Sequence, residues 1–164
     1  MILLNGVEYI PMKYECRDSI GAVFMIDGEL KSILENLDSS QVYDYVLYND
    51  EMSFMIDDMM EMKCNWYDVM IMLNMCDRKC FFSGKILSDS IKNYGCIAVI
   101  KSTEIVKSTL EVMLTVTKKE MERAYLKQKS GMMDTFENDW EFFNLLKSFY
   151  LNVIAHDRSA FLFC

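Results

Sequence analysis

A chain of 164 residues with 25 acidic and 17 basic residues carries a formal net charge of −8, the wrong sign for binding a nucleic-acid backbone directly. No apolar run approaches the roughly 18 residues of a membrane span, and the opening residues lack the basic and apolar regions of a secretory signal. With 52% hydrophobic residues the chain can bury one core, so we expect a single soluble, cytoplasmic α+β domain over residues 1–164.

The N-terminal segment predicts a β-hairpin. Two short apolar stretches, Ile2 to Leu4 and Val7 to Ile10, flank Asn5-Gly6, which supplies the positive φ angles of a type I′ turn. Pro11 ends the second strand or places it at a sheet edge, because proline cannot donate to a strand ladder. The apolar segment from Gly21 to Ile26 predicts the next strand.

A helix capped by Asp27 is predicted to follow, ending at Asp38-Ser39-Ser40. Its apolar positions recur at helical spacing and are Leu30, Ile33, Leu34 and Leu37. The next segment, residues 41–63, fits either a strand or a helix before residue 51. From residue 51 onward we predict a helix.

Two further helices are predicted between residues 65 and 95. Asn65 can cap the first of them. The apolar stripe of that helix contains Trp66, Met70 and Leu73. Ser83 or Gly84 begins the second helix, and Gly95 ends it, because glycine readily adopts the left-handed conformation found at helix C-termini.

Two central strands are predicted in the second half of the chain. Residues 96–100 form a continuous apolar run of strand length. Residues 110–116 alternate, with apolar side chains at every second position, as in a half-buried strand. Together with the N-terminal hairpin these strands predict a small, mainly antiparallel sheet that packs against several helices.

The C-terminal third is predicted to be mostly helical. The segment from Thr117 to Glu120 has the sequence of a capping box, which starts one helix. A longer helix starts at Asp134 or Thr135 and ends near Ala155. Its second half is apolar almost all round, so we predict that it is the central buried helix. Residues 160–163 can close the sheet as a final strand.

Six cysteines raise the question of a metal site. Cys64, Cys76, Cys80 and Cys96 could supply the thiolates of a tetrahedral zinc site, so a zinc-stabilised interaction module is one alternative. Only one pair is closely spaced, as C-x3-C, and free cysteines are commonly buried like small apolar residues. Without a secretory signal we expect free thiols in a reducing compartment, and we predict neither a bound metal nor a cofactor.

Catalytic chemistry has one candidate pair. His156, the single histidine, could activate a thiol such as Cys80, so a small cytosolic thiol enzyme is a second alternative. No local motif marks a nucleophile, and His156 lies beside Asp157-Arg158, where a helix is predicted to end. Ser83-Gly84-Lys85 is similar to the end of a phosphate-binding loop, but position 79 is Lys where that loop requires Gly.

The most distinctive segment is the acidic, methionine-rich stretch from residue 51 to residue 61. We predict that it contacts a partner protein, with charge steering the encounter and flexible methionines adapting to the partner. The predicted contacts are Asp57, Asp58 and Glu61 as charged groups and Met55 and Met59 as apolar groups. The alternative is an amphipathic helix that buries its methionines and leaves its acids in solvent.

The absence of a readable catalytic set favours a non-enzymatic protein-binding accessory protein. The abundance of Met, Ile, Lys, Asn, Tyr and Phe and the opening residues Asn5 to Tyr9 resemble phage-encoded accessory proteins in style. We therefore expect a phage or mobile-element inhibitor of a host defence factor, for example one that is anti-CRISPR-like. Its partner would be a host or cognate protein with a basic nucleic-acid-binding surface, because an acidic protein is attracted to such a surface. Neither direct nucleic-acid binding nor membrane binding is expected, and the oligomeric state is left open.

Overall fold

The computed structural model describes residues 2–4, 7–9, 21–89 and 97–164, which form an α+β fold around one five-stranded antiparallel sheet. The strands, in chain order, are β1 (Ile2–Leu4), β2 (Val7–Tyr9), β3 (Ala22–Ile26), β4 (Ile56–Glu61), β5 (Lys85–Asp89), β6 (Ile97–Lys101) and β7 (Ser159–Phe163). The sheet has the order β4-β3-β7-β6-β5, so the C-terminal strand lies at its centre. The predicted fold class, the strand near residues 96–100 and the final strand are confirmed.

The predicted N-terminal hairpin is confirmed as an antiparallel pair of strands. Ile2 lies opposite Tyr9 and Leu4 lies opposite Val7. These two strands form a separate two-stranded sheet and do not extend the five-stranded one. The predicted turn at Asn5-Gly6 lies outside the described residues, as does Pro11.

Helices cover both faces of the five-stranded sheet. They are α1 (Gly28–Asn36), α2 (Ser39–Tyr48), α3 (Asn65–Met75), α4 (Thr103–Leu114), α5 (Lys118–Gln128) and α6 (Phe136–Ala155), with short 3₁₀ helices at Asp50–Met55 and Lys129–Gly131. Strand alternation divides the core into two parts. Phe24 and Ile26 of β3 pack with α1 and α2, whereas Val23 and Met25 face the layer formed by α3 to α6.

Three helices have the capping residues that the sequence predicts, whereas the predicted cap Asn65 is the first residue of α3 and follows Cys64 at the N-cap position. Asp27 Oδ1 accepts a hydrogen bond from the Leu30 N–H at 2.8 Å, at the start of α1. Thr117 and Glu120 form the predicted capping box of α5. Thr135 caps α6, as predicted. Each of these side chains satisfies a backbone donor that the first turn of a helix leaves without a partner.

Helix α6 is confirmed as the longest helix of the described residues, but it is buried on one side only. Its buried residues include Phe142, Phe143, Leu146, Phe149, Tyr150 and Val153. Leu145 and Leu151 are exposed, so the predicted burial all round the second half is wrong. The helix lies in an outer layer against the sheet, and its other side faces solvent. In the described part of the chain, no helix combines the length and apolar character needed to cross a membrane.

The strand predicted at residues 110–116 is wrong, because these residues end helix α4 and continue beyond it. Ser102 caps this helix by accepting a hydrogen bond from the Ile105 N–H. Val106, Leu110 and Met113 are buried at helical spacing, whereas Leu114 is exposed. The apolar residues that suggested an alternating strand from residue 110 onward overlap with an apolar helical stripe. This stripe begins earlier, at Val106.

The helix predicted from Ser83 or Gly84 to Gly95 is also wrong, because β5 begins at Lys85. Gly84 has a φ of +137°, and a Cβ atom there would lie 2.4 Å from the carbonyl oxygen of Ile100. Glycine is therefore required where the chain approaches β6 closely, and it does not start a helix. The predicted helix end at Gly95 lies outside the described residues.

Residues 41–63 contain three kinds of structure. Helix α2 ends at Tyr48, a 3₁₀ helix follows, and β4 begins at Ile56. The helix predicted after residue 51 is therefore wrong from residue 56 onward. The three acidic residues of β4 have low strand propensity, so we attribute the stability of this strand to its pairing with β3.

Candidate functional site

The net negative charge of the protein is confined to one segment. Residues 32–62 hold eight of the 25 acidic residues and no Lys, Arg or His. The other 17 acidic residues are balanced by 17 basic residues, all of which lie outside this segment. Because the segment ends in β4, the outermost strand of the sheet, much of this charge is gathered along one sheet edge.

The acidic edge, defined here as residues 48–61, presents aromatic side chains as well as charge. Tyr48 is 75% exposed and Phe54 is 89% exposed. The turn that carries Phe54 is ordered by Asn49, whose Oδ1 accepts a hydrogen bond from the Glu51 N–H at 2.9 Å. Two large rings exposed to this degree within seven residues of sequence are typical of a contact surface.

Strand β4 displays its side chains alternately on the two faces of the sheet. Met59, opposite Phe24 of β3, lies on the side of α1 and α2, and Glu61 shares that side. Asp58 and Met60 lie on the other side, where Met60 packs against the core beneath α3 to α6. Over residues 58–61, each face of the strand therefore presents one acidic residue and one methionine.

Two of the predicted charged contacts have partners within the protein. Arg158 Nε donates a hydrogen bond to Asp57 Oδ2 in an exposed ion pair. Asn152 Nδ2 of α6 donates to Asp58 Oδ2 at 3.3 Å. These contacts attach the edge strand to the end of α6 and to the residues that lead into β7. The two carboxylates are therefore held in defined positions at the surface.

The methionines of this region contribute mainly to the core. Met52, Met62, Met70 and Met72 are buried. Of the two predicted apolar contacts, Met55 is half-buried and packs beneath α1 and α2, whereas Met59 is 50% exposed. Met59 is thus the more exposed methionine of the pair.

A cluster of buried carboxyl groups, absent from the sequence predictions, lies between the starts of α3 and α6. Asp68 accepts hydrogen bonds from the backbone N–H groups of Met133 and Asp134 at 2.8 and 2.9 Å. Asp139 Oδ1 accepts from Asn65 Nδ2 at 2.8 Å. Burial raises the pKa of Asp68, and it raises the pKa of Asp139 to about 8.

One sequence signal points to this cluster. Asp139 lies three residues after Phe136 and four residues before Phe143, on the apolar stripe of α6. A carboxyl group on such a stripe indicates a buried polar group that needs hydrogen bonds. Its partner Asp68 comes from a helix that is distant in the chain, and no local pattern connects the two residues.

Lys101 is a second buried ionisable residue. Its Nζ donates hydrogen bonds to Cys80 O at 3.0 Å, Ser83 O at 2.6 Å and Ser83 Oγ at 2.9 Å. Burial lowers the pKa of Lys101 to about 7. These bonds attach the turn at residues 80–83 to the end of β6. Because Lys101 and Asp139 have no exposed surface, a substrate cannot reach either group in this conformation.

The described cysteines do not form the zinc site that was considered as an alternative. Among the residues that the structure describes, no three His, Cys, Asp or Glu side chains are grouped so as to hold a metal ion. The described cysteines of the candidate set are Cys64, Cys76 and Cys80. Cys96 lies outside the described residues. Cys76 follows α3 directly and Cys80 lies in the turn beyond it, so the two are not on one helical face.

The alternative of thiol chemistry at Cys80 has little geometric support. Cys80 is buried, and burial raises the pKa of its thiol. Burial likewise raises the pKa of Cys64 and Cys76. A nucleophilic cysteine needs the opposite shift and an exposed sulfur. His156 follows the last residue of α6, where the sequence predicts a helix end. Its side chain is exposed, and its Nδ1 lies 2.9 Å from the carbonyl oxygen of residue 152.

No protein-family model matches the chain, and no curated protein sequence matches it. A solved structure with a similar fold is the crystal structure of YfbM, a protein of unknown function from Escherichia coli. The two superpose with a TM-score of 0.63 at 14% sequence identity, over 88% of this chain and 99% of YfbM. At this identity the similarity concerns the backbone alone, so we conclude that the chain has a YfbM-like fold.

Proposed function

We propose that the protein is a non-enzymatic binding protein that engages a basic partner protein through the acidic edge. The observation that carries the proposal is Phe54, which is 89% exposed in a part of the chain that contains no basic residue. Glu51 and Asp57 lie three residues to either side of it. An exposed aromatic ring flanked by carboxylates can serve as an apolar anchor within a charged surface.

Charge and apolar contact contribute differently to such binding. Long-range attraction raises the association rate, whereas a buried apolar anchor supplies most of the affinity. Fully burying a phenylalanine side chain is worth about 1.5–3 kcal/mol, while an exposed ion pair contributes about 0–1 kcal/mol. We therefore assign most of the binding energy to Phe54 and Tyr48, and the steering to the carboxylates around them.

The charge of the acidic edge favours a partner with a cationic surface, and nucleic-acid-binding proteins carry such surfaces. We include in the proposal the narrower function that the composition favours, a phage or mobile-element inhibitor of a host defence factor. Such an inhibitor would occupy a cationic groove in place of nucleic acid. The exposed rings would add apolar contacts that a phosphate backbone lacks.

Affinity capture with matched variants tests the proposal. Phe54→Ser removes the exposed ring from the acidic edge, whereas Leu126→Ser removes a side chain that is 61% exposed on α5. We expect the wild type and Leu126→Ser to retain a stoichiometric partner from host lysate, and Phe54→Ser to lose it. Equal capture by the two variants contradicts the assignment to the acidic edge. Failure of the wild type to retain any stoichiometric partner removes the proposed function.

A further inference from the structure

The outer edge of β4 carries main-chain groups that no described strand pairs with. In the described part of the chain, β4 pairs with β3 on one side and with no strand on the other. The Met62 N–H donates to Gly21 O at 2.7 Å, so the main-chain groups at this position point towards β3. Strand alternation then points the N–H and C=O groups of Met59 and Glu61 away from β3, along the open edge.

The charge of this edge restricts what can pair with it. Asp58 Oδ1 accepts a hydrogen bond from the Met59 N–H at 2.8 Å, so a local carboxylate covers one of the outward donors. Charged side chains on an edge strand oppose pairing with other strands, and carboxylates opposite carboxylates would repel a second copy of this chain. A strand that brings cations beside Asp58 and Glu61 replaces this repulsion with attraction. It also frees the Met59 N–H for pairing.

We infer that an extended segment of the partner adds to the open edge of β4 as a further strand. This inference rests on the proposed function and gives its mode of binding. Met59 and Glu61 lie on one face of β4, and Asp58 and Met60 lie on the other. Side chains of an added strand would lie beside these residues on both faces. The segment that fits therefore has one basic and one apolar residue on each of its own faces.

A short peptide in which Lys-Arg-Val-Ile is repeated is the probe. As a strand it places Lys and Val on one face and Arg and Ile on the other. Two control peptides have the same sequence with methylated backbone nitrogens. One carries N-methyl groups on every Lys and Val, and the other carries them on every Arg and Ile. An added strand uses the donors of one set only. Binding is measured by fluorescence anisotropy. We expect methylation of that set to weaken binding by at least about ten-fold, and methylation of the other set to weaken it by less than about three-fold.

A pair of variants tests the same contact from the side of the protein. Met59→Pro removes the outward N–H without removing a bond to β3, whereas Met59→Ala removes only the side chain. We expect Met59→Pro to bind the unmodified peptide at least about ten-fold more weakly than Met59→Ala does. Circular dichroism shows whether Met59→Pro is folded. If it is not, the methylated peptides decide the question with the wild-type protein.

The outcomes separate this inference from the proposed function. Equal binding of the unmodified peptide and both methylated forms overturns strand addition, and so does the absence of any peptide binding. Suppose that strand addition is overturned by either result but that capture of the partner still depends on Phe54. The acidic edge then binds without adding a strand, and the proposed function stands. If capture does not depend on Phe54, both fail.

Discussion

Asp139 and Asp68 are interacting buried carboxyl groups in the enclosed space between the first turns of α3 and α6. The Oδ1 atom of Asp139 accepts a hydrogen bond from Asn65, whereas its Oδ2 is buried and has no hydrogen-bond partner among the described residues. Asp68 accepts hydrogen bonds from the N–H groups of Met133 and Asp134. Burial favours the protonated, neutral form of Asp139, and the two residues connect two core helices to the segment before α6.

The free energy of unfolding is expected to fall as the pH rises from about 4 to about 8. Burial raises the pKa of Asp139 to about 8 in the folded state, whereas an unfolded aspartate has a pKa of about 4. Between these values the folded protein binds a proton that the unfolded chain has released. Its stability therefore decreases by up to about 1.4 kcal/mol per pH unit, and the decrease ends above the folded pKa.

Asp139→Asn tests this relationship, because the amide can donate to Asp68 and does not titrate. We expect a flatter dependence of the free energy of unfolding on pH in this variant, measured by urea denaturation between about pH 5 and pH 8. Glu137→Gln, which neutralises an exposed carboxylate on the same helix, is the matched control and should keep the wild-type slope. Parallel pH profiles for the wild type and Asp139→Asn would show that Asp139 is ionised in the folded protein.

Lys101 is expected to produce the opposite slope at higher pH. Burial lowers the pKa of Lys101 to about 7, whereas unfolded lysine has a pKa of about 10.4. Between these values the unfolded chain binds more protons, so this residue makes the folded state more stable as the pH rises. Lys101→Met removes the titrating group. We expect the stability of the wild type relative to this variant to grow from about pH 7 to pH 9, by up to about 1.4 kcal/mol per pH unit.

The comparison between wild type and Lys101→Met cancels the titration of the cysteines, which both proteins retain. Lys107→Met, at an exposed position of α4, controls for the loss of a lysine and should show no such growth with pH. A stability difference that is constant across this range means that the oxygen acceptors around its Nζ keep Lys101 charged in the folded protein.

Gly84→Ala is expected to be strongly destabilising. At a φ of +137° the conformation is nearly restricted to glycine, and the added Cβ would lie 2.4 Å from the carbonyl oxygen of Ile100. The backbone conformation alone costs about 1–3 kcal/mol, before the clash with β6 is counted. Gly28→Ala is the control, because nothing lies within 4 Å of its added Cβ in the first turn of α1. It should be neutral or stabilising by up to about 1 kcal/mol. Similar unfolding midpoints for the two variants would contradict the close approach of Gly84 to β6.

The elements that local sequence rules predict correctly are those whose determining contacts are local. Asp27 and Thr117 cap their helices through hydrogen bonds to residues three positions ahead, which the sequence displays directly. The errors occur where a distant contact decides the structure. Gly84 has its conformation because of β6, and residues 110–114 are helical because α4 packs its buried stripe onto other helices and the sheet.

The candidate site was predictable as a segment but not as a surface. Charge and methionine content identify residues 51–61, yet their arrangement depends on β4 being a strand. Only the pairing with β3 shows that Asp58 and Glu61 lie on different faces. The exposure of Phe54 is not visible in the sequence either, because exposure of an aromatic residue depends on which way its turn faces.

Replacing Asp57, Asp58 and Glu61 together with Ala is expected to leave the fold intact and to slow association with the partner. All three side chains are exposed, and surface ion pairs and hydrogen bonds of the kind they make contribute little to stability. Loss of their charge weakens the attraction that steers a cationic partner, so the association rate constant should fall and depend less on salt concentration. The dissociation rate should change less, because Phe54 is retained.

The matched control for this triple variant replaces Glu104, Glu111 and Glu122 with Ala, which changes the net charge equally at exposed positions of α4 and α5. Association rates with the captured partner are measured by surface plasmon resonance across a range of NaCl concentrations. If only the acidic-edge variant associates more slowly, the carboxylates of β4 are the ones that attract the partner. The reason is that salt limits the attraction of a surface charge to groups within about one Debye length. If both triple variants slow association equally, the net charge of the whole protein attracts the partner. If neither does, the carboxylates of β4 are a solvated face whose function is to protect the sheet edge from other strands.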